Sequence, residues 1–233
     1  MPSIRPGALL LALALAPPAA AQSEPQGNRL HPAFAARMAA VRTVGIVAPD
    51  IKLYELSASN DRVFQPEWST AARGLVLASA EAAVKRRGLE PIRFEAPDGR
   101  QVELREVTLL EQAVATAILQ ATYFARFPAK VASFEYGLGD LNWLLGPQGP
   151  DALLFVQGHG HVSSGGRKAV QTLGAVLGGG MSRGIDRLFM ALVDRTGELL
   201  WFDWSASSSY DLRDPESADA FVRALLDRIP GSP

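Results

Sequence analysis

The chain has 233 residues, with 23 basic and 24 acidic side chains, and its formal net charge is −1 at neutral pH. The charges form no long run of one sign, so we do not expect a nucleic-acid-binding surface. The absence of cysteine excludes disulfide bonds, thiolate metal sites and the attachment of a lipid anchor at a lipobox cysteine. A chain of this length can bury a sizeable core, and a single domain is expected.

The N-terminal residues have the pattern of a cleaved secretory signal. Arg5 supplies a positive charge, Ala8–Ala16 is a short apolar run, and small residues precede the expected cleavage after Ala21. The apolar run is about half of the roughly 20 residues that a membrane-spanning helix needs. We therefore expect an exported, periplasmic protein. Its predicted organisation is a signal peptide, a flexible leader and a single domain, over residues 1–21, 22–31 and 32–233.

Apolar runs and turn residues predict the elements of the first half of the chain. Thr43–Pro49 is nearly continuously apolar, which is typical of a strand buried on both faces. Pro66–Arg87 begins with proline and is followed by glycine, which favours a helix. Ile92–Glu95 and Val102–Arg105 alternate apolar and charged residues around a turn, which predicts a hairpin. Thr108–Glu111 matches a capping box and predicts the start of a second helix.

The second half reads as a strand, a hairpin and a terminal helix. Ala152–Gln157 is an apolar strand, and Phe189–Asp194 and Glu198–Trp204 flank an Arg-Thr-Gly turn. Asp214 precedes a proline and is expected to cap a helix whose apolar residues recur at helical spacing as far as Ile229. Together the elements predict a single-domain α/β fold, with a mixed sheet and helices packed mainly on one face.

Two motifs point to chemistry but lack required parts. Gly180–Gly184 matches the G-x-S-x-G nucleophile elbow, yet a strand follows it and all three histidines precede Ser182. A serine hydrolase at Ser182 is left open only if a triad is assembled in another order. The loop after residue 157 has glycine where a phosphate loop requires lysine. A backbone ligand or anion site is left open beside a flexible turn; its residues are Ser163, Ser164, Gly165, Gly166, Arg167 and Lys168.

His159 and His161 are two residues apart. If the strand continues through them, both imidazoles point to one face of the sheet. Neutral imidazole binds Zn²⁺ or Cu²⁺, but such a site needs a further ligand, which His31 or Asp211 could supply only through the fold. A metal site, a small-ligand site and two polar residues at a strand end all remain open, and no cofactor is predicted.

Apolar side chains suggest an interaction surface. Ala169–Met181 is apolar, contains three consecutive glycines and is too short to span a bilayer as a helix. It could form a buried helix, a membrane-contacting flap or a self-association surface. Trp201 and Phe202 are adjacent on a strand and therefore point to opposite faces. The candidates for partner contact are Leu173, Val176, Leu177 and Trp204, with core packing as the other interpretation of Trp204.

The second half of the chain resembles a group of bacterial envelope proteins. Ala152–Val156, a Gly/Ser-rich connector and Ala191–Trp201, with its turn at Asp194–Gly197, are similar to the second half of proteins of the CsgG, LpoB and TolB-N-terminal-like group. Leu212–Pro215 is similar to the start of the last helix in exported proteobacterial proteins. The resemblance covers residues 150–229 and implies an envelope assembly or accessory role without catalysis.

These observations favour a non-catalytic periplasmic accessory protein that acts by protein–protein interaction. The expected partner is an envelope protein or a membrane-associated complex, and a homo-oligomer is left open. The alternative is a metal- or small-ligand-binding periplasmic protein that uses His159 and His161. A serine hydrolase at Ser182 is the third hypothesis.

Overall fold

The computed structural model describes residues 27–165 and 184–231. The strands are β1 Arg29–Leu30, β2 Thr43–Val47, β3 Asp50–Leu56, β4 Arg62–Phe64, β5 Glu90–Phe94, β6 Ala152–Ser163, β7 Asp186–Asp194 and β8 Leu199–Ser207. The helices are α1 Phe34–Met38, α2 Pro66–Arg86, α3 Gln101–Ile118, α4 Pro128–Ala132, α5 Asn142–Leu145 and α6 Pro215–Leu226. A π-helical turn, Leu119–Phe124, continues α3.

The strands form one mixed sheet in the order β1-β8-β7-β6-β2-β5, with β3 beside β6 and β4 beside β3. β2 runs parallel to β5 and β6, and β3 also runs parallel to β6, whereas the other neighbours are antiparallel. β2 and β3 follow one another along β6, because Ile46 lies opposite Leu154 and Asp50 lies opposite Gln157. The predicted mixed sheet in a single α/β domain is confirmed.

Both faces of the sheet carry an apolar core, because successive side chains of a strand point to opposite faces. On the first face, α2 and α6 pack together over buried strand residues that include Val44, Ile46, Leu154, Val156 and Leu192. On the second face, α3, the π-helical turn and α5 cover a set that includes Val47, Leu153, Phe155, Ala191 and Phe202. Trp201 belongs to the first set and Phe202 to the second, which confirms that these neighbours point in opposite directions.

The predicted hairpin over Ile92–Glu95 and Val102–Arg105 is wrong. β5 pairs in parallel with β2, and residues 102–105 belong to the first turns of α3. A four-residue alternation of apolar and charged side chains fits either a strand or a helix. Here the helix forms because the buried residues of α3 recur at helical spacing. The predicted capping box at Thr108 and Glu111 consequently lies inside α3.

The terminal hairpin and the terminal helix are confirmed. In the turn between β7 and β8, the Asp194 carboxylate accepts a hydrogen bond from the Glu198 N–H at 3.1 Å. Gly197 supplies the positive φ of 82° that this turn requires. Asp214 caps α6 by accepting a hydrogen bond from the Ser217 N–H at 2.8 Å. Within the part of the chain that the structure describes, no helix combines the length and apolar character needed to cross a membrane.

Candidate functional site

The helices over the second sheet face carry an exposed apolar surface. Among the described residues, nine large apolar side chains are exposed, and seven of them lie between residues 102 and 143. We call these seven the α3–α5 surface: Val102, Leu109, Leu110, Phe124, Phe127, Val131 and Trp143. The other two, Val63 and Phe64, lie on β4 at the edge of the sheet. None of the nine belongs to the α2–α6 layer on the first face.

One continuous stretch of helix carries four members of this surface, and the other three lie on or beside α4 and α5. Val102 and Leu109 are two helical turns apart on α3 and therefore share one face. α3 passes without a break into the π-helical turn, which carries Phe124 and packs against α4. At the other end, the Arg100 guanidinium donates a hydrogen bond to the Trp143 carbonyl and lies 5.7 Å from the centre of its ring. The exposed apolar side chains therefore lie along one side of the molecule.

Trp204, predicted as a candidate for partner contact, is a core residue in the structure. It is 4% exposed and stacks on Phe189 with ring centroids 5.8 Å apart. Phe124 lies outside it, with ring centroids 6.2 Å apart, and is itself 55% exposed. The assignment of Trp204 to a surface is therefore corrected, because the π-helical turn covers this part of the sheet. Phe124 takes the exposed position.

His159 and His161 lie on β6 and point to the second face of the sheet, as their spacing predicts. In the strand register, His159 lies between Lys52 on β3 and Arg187 on β7. His161 lies opposite Tyr54 and stacks on its ring, with centroids 5.7 Å apart. Burial is the main cause that lowers the pKa of both imidazoles, and nearby cations lower it further. Both side chains are therefore neutral at neutral pH.

The described residues place no third metal ligand beside these histidines. The His31 N–H donates to the Leu200 carbonyl at 3.0 Å, near the start of β8. His159 lies opposite Arg187 on β7, which lies opposite Ala206 near the end of β8. His31 and His159 therefore lie at different ends of β8. Asp211 forms an ion pair with Arg213 at 2.6 Å. Within residues 27–165 and 184–231, no group of three or more His, Asp or Glu side chains could hold a metal ion. The cationic neighbours of the imidazoles favour an anion over a metal cation.

Two acidic residues accept hydrogen bonds that join α3 to the sheet next to these histidines. Gln157 donates a hydrogen bond to Glu111, which is 2% exposed. Burial raises the pKa of Glu111 to about 8, although the hydrogen bond opposes this shift. Asp50, opposite Gln157, accepts hydrogen bonds from Lys52 Nζ at 2.8 Å and from Gln112 Nε2 at 3.1 Å. Glu111 therefore carries its proton at neutral pH. The Asp50 carboxylate holds Lys52 and Gln112 in place through its two hydrogen bonds.

A cleft of about 390 Å³ opens beside this network, between α3 and the junction of β2 with β3. Residues 47 and 48 and the first residues of β3 form one wall, and one side of α3 forms the other. Its charged lining residues are Asp50, Lys52 and Arg105. We call this space the α3 cleft. It is a concave site with charged groups on a mostly apolar surface, which is the usual form of a small-molecule site.

The predicted anion loop lies only partly within the described residues. Ser163 ends β6, the Ser164 N–H donates to the Leu56 carbonyl at 2.9 Å, and Gly165 follows. The other predicted site residues, which lie outside the described residues, are Gly166, Arg167, Lys168, Leu173, Val176, Leu177 and Ser182. The expected signal peptide over 1–21 also lies outside them.

Sequence reasoning missed Glu111, Lys52 and Arg105 as site residues. Glu111 lies four residues after the buried Val107 and four before the buried Ala115. An acidic residue on the apolar stripe of a helix is the signal that could have identified it. Lys52 and Arg105 come from a strand and a helix that are distant in the sequence, and only the folded chain brings them into one cleft.

No family model matches this chain, and no curated protein matches it either.

Proposed function

We propose that this chain is an exported, non-catalytic accessory protein of the bacterial cell envelope. It binds another envelope protein or a membrane-associated complex through the α3–α5 surface. The observation that supports this is the asymmetry of the exposed large apolar side chains, since seven of the nine found in residues 27–165 and 184–231 lie on one side. The pattern of residues 1–21 supports export, and the resemblance of residues 150–229 to the CsgG, LpoB and TolB-N-terminal-like group supports the envelope role.

The composition of the α3–α5 surface suits protein recognition. Contiguous exposed apolar surface is uncommon on monomers, and it often marks an interaction site. Phe124, Phe127 and Trp143 are aromatic, and aromatic side chains are enriched at the centres of protein interfaces. Exposed charged side chains, including Glu106 and Lys130, border the apolar ones, as in the polar rim of an interface.

Burial of the α3–α5 surface by a partner is also favourable in free energy. Complete burial of one large apolar side chain contributes about 1.5–3 kcal/mol relative to its exposed state. The members of the α3–α5 surface are 42–68% exposed, so each retains a large part of this free energy for association. Val131 lies on α4, and Phe127 directly precedes this helix. No residue of α4 is buried in the core. Phe127 and Val131 can therefore be changed with little effect on folding.

A pair of charge substitutions tests the proposal. Phe127→Glu/Val131→Glu places two carboxylates on the α3–α5 surface, where they oppose burial by a partner. The matched control is Ala78→Glu/Ala82→Glu, at exposed positions of α2 on the first face. In a periplasmic extract, the wild-type chain and the control are expected to elute from a sizing column in a larger complex, and the surface variant as the free chain.

The elution profiles also define the outcome that overturns the proposal. A wild-type chain that elutes alone, or a surface variant that keeps the full complex, contradicts binding through the α3–α5 surface. Far-UV circular dichroism of each purified variant establishes that the substitutions have not unfolded the chain.

A further inference from the structure

The α3 cleft lies at the carboxyl ends of parallel strands. β2 and β5 run side by side in parallel, and the chain leaves them toward opposite faces of the sheet. After β2 it passes through β3 and β4 to α2 on the first face, whereas after β5 it enters α3 on the second face. Open α/β sheets bind ligands in the crevice at such a divergence, because the two connections separate there. The topology therefore places the cleft where a ligand site is expected.

The cleft contains cations with donors available to a ligand. Lys52 Nζ donates a hydrogen bond to Asp50 at 2.8 Å, and its ammonium group keeps further N–H donors. The Arg105 guanidinium has neither a hydrogen bond nor an ion pair with any residue in the described ranges 27–165 and 184–231. Asp50, the one acidic group among the described lining residues, is already shared by Lys52 and Gln112. The lining side chains therefore carry a net positive charge.

The remaining lining suits the body of a small organic molecule. Val47, Leu104 and Leu109 supply apolar wall surface. The Thr108 hydroxyl donates to the Leu104 carbonyl at 2.8 Å, so its oxygen is left as an acceptor. The volume of about 390 Å³ falls within the roughly 300–1,000 Å³ that is typical of small-molecule sites.

We infer that the α3 cleft binds a small organic anion. Its carboxylate or phosphate group contacts Lys52 and Arg105, and its apolar body packs on Val47 and Leu104. Arg and Lys both bind these oxyanions, and a guanidinium can donate two parallel hydrogen bonds to either group. Asp50 acts as a positioning residue, because its hydrogen bonds hold Lys52 beside α3. This site overlaps the partner surface of the proposed function at Leu109, which belongs to both, but it does not include Phe127 or Val131.

Two probes test the site and distinguish the two anion types. The mature chain, labelled with ¹⁵N, is titrated with benzoate and, separately, with phenyl phosphate, and the amide shifts of residues around the cleft are followed. Saturable shifts at Lys52 and Thr108 are expected with at least one probe. Saturation by benzoate alone identifies a carboxylate site, and saturation by phenyl phosphate alone identifies a phosphate site.

Matched variants assign the binding to the two cations. Lys52→Gln/Arg105→Gln is expected to raise the Kd by at least about tenfold, because two charge-assisted hydrogen bonds are lost. The control Lys85→Gln/Arg86→Gln removes the same charge from exposed positions in the last turn of α2 and is expected to leave the Kd unchanged. The single variant Arg105→Gln serves if the double variant does not fold, since Arg105 is exposed and unpaired among the described residues.

Three outcomes overturn the inference. They are the absence of saturable shifts with both probes, an unchanged Kd in the cleft variant, and an equal loss of affinity in the α2 control. None of them affects the partner-binding result, because Phe127 and Val131 do not line the cleft.

Discussion

Glu111 is a buried carboxyl group whose titration makes the stability of the folded chain depend on pH. Burial raises its pKa from the ordinary value of 4.5 to about 8. Below 4.5 the carboxyl group is protonated in both the folded and the unfolded chain. Between these values the folded chain keeps a proton that the unfolded chain releases, so the free energy of unfolding falls as the pH rises. Above a pH of about 8 this loss is complete.

We expect Glu111→Gln to weaken this pH dependence. Glutamine has the same shape and no titrating proton, so the variant should exceed the wild type in stability by at least about 1 kcal/mol above the pKa of Glu111. Urea unfolding on both sides of the titration measures the difference. Burial also raises the pKa of Asp186 to about 7, so its titration lowers the free energy of unfolding as the pH rises. This loss is the same in the wild type and in the variant, and it does not cancel the difference between them.

The control for this experiment is Glu106→Gln, on the exposed side of α3. It should leave the pH dependence of stability as in the wild type. If Glu111→Gln loses stability with rising pH as steeply as the wild type does, Glu111 does not hold its proton in the folded chain.

At the residue scale, the sequence predicted side-chain direction better than side-chain environment. The two-residue spacing of His159 and His161 correctly placed them on one face, because a strand has a period of two. Their cationic neighbours Lys52 and Arg187 could not be predicted, since the register of β3 and β7 against β6 decides them. The motif at Thr108 and Glu111 led to the wrong environment, because a short capping pattern also occurs inside a longer helix.

At the scale of single elements, the turn between β7 and β8 is stabilised by contacts with the loop over residues 137–141 as well as by hydrogen bonds within the turn. Gly197 has φ of 82°, and its carbonyl accepts a hydrogen bond from the Leu138 N–H at 2.8 Å. A Cβ atom added at Gly197 would overlap the Gly139 carbonyl oxygen. Gly99 has a similar φ of 80°, but an added Cβ would meet no atom within 4 Å.

Alanine at these two glycines should separate backbone strain from steric overlap. Gly99→Ala is expected to cost about 1 kcal/mol of stability from the positive φ alone, whereas Gly197→Ala should cost roughly 2–4 kcal/mol because overlap is added. Chemical unfolding of both variants at one pH gives the comparison. Equal losses would show that the loop over residues 137–141 does not pack closely against this turn.

Elements with strong local signals were predicted, and an element with a short ambiguous pattern was not. The Asp194–Gly197 turn and the cap at Asp214 have specific residues at fixed positions, so the local sequence determines them. Val102–Arg105 has only four alternating residues, and the buried stripe of α3 continues far beyond it. The longer helical pattern determined the structure there.

At the scale of the whole molecule, helices cover both faces of the sheet, but only the helices over the second face carry the exposed apolar α3–α5 surface. The mixed α/β sheet was predictable from the order of strands and helices. The distribution of helices over both faces and the position of the α3 cleft were not, because they depend on the direction in which each connection crosses the sheet. The α3–α5 surface was missed for the same reason. A sequence pattern shows that a side chain is apolar but does not show that it is left uncovered.

Site-specific photocrosslinking in cells tests the partner-binding proposal most directly. A photoreactive amino acid is placed at Phe127, on the α3–α5 surface, and in a second strain at Ala78, on the exposed face of α2. The proposal predicts one dominant crosslink from position 127 to a different envelope protein, and no such product from position 78. A product with the mass of two copies of this chain, equal products from both positions, or no product from position 127 would contradict it.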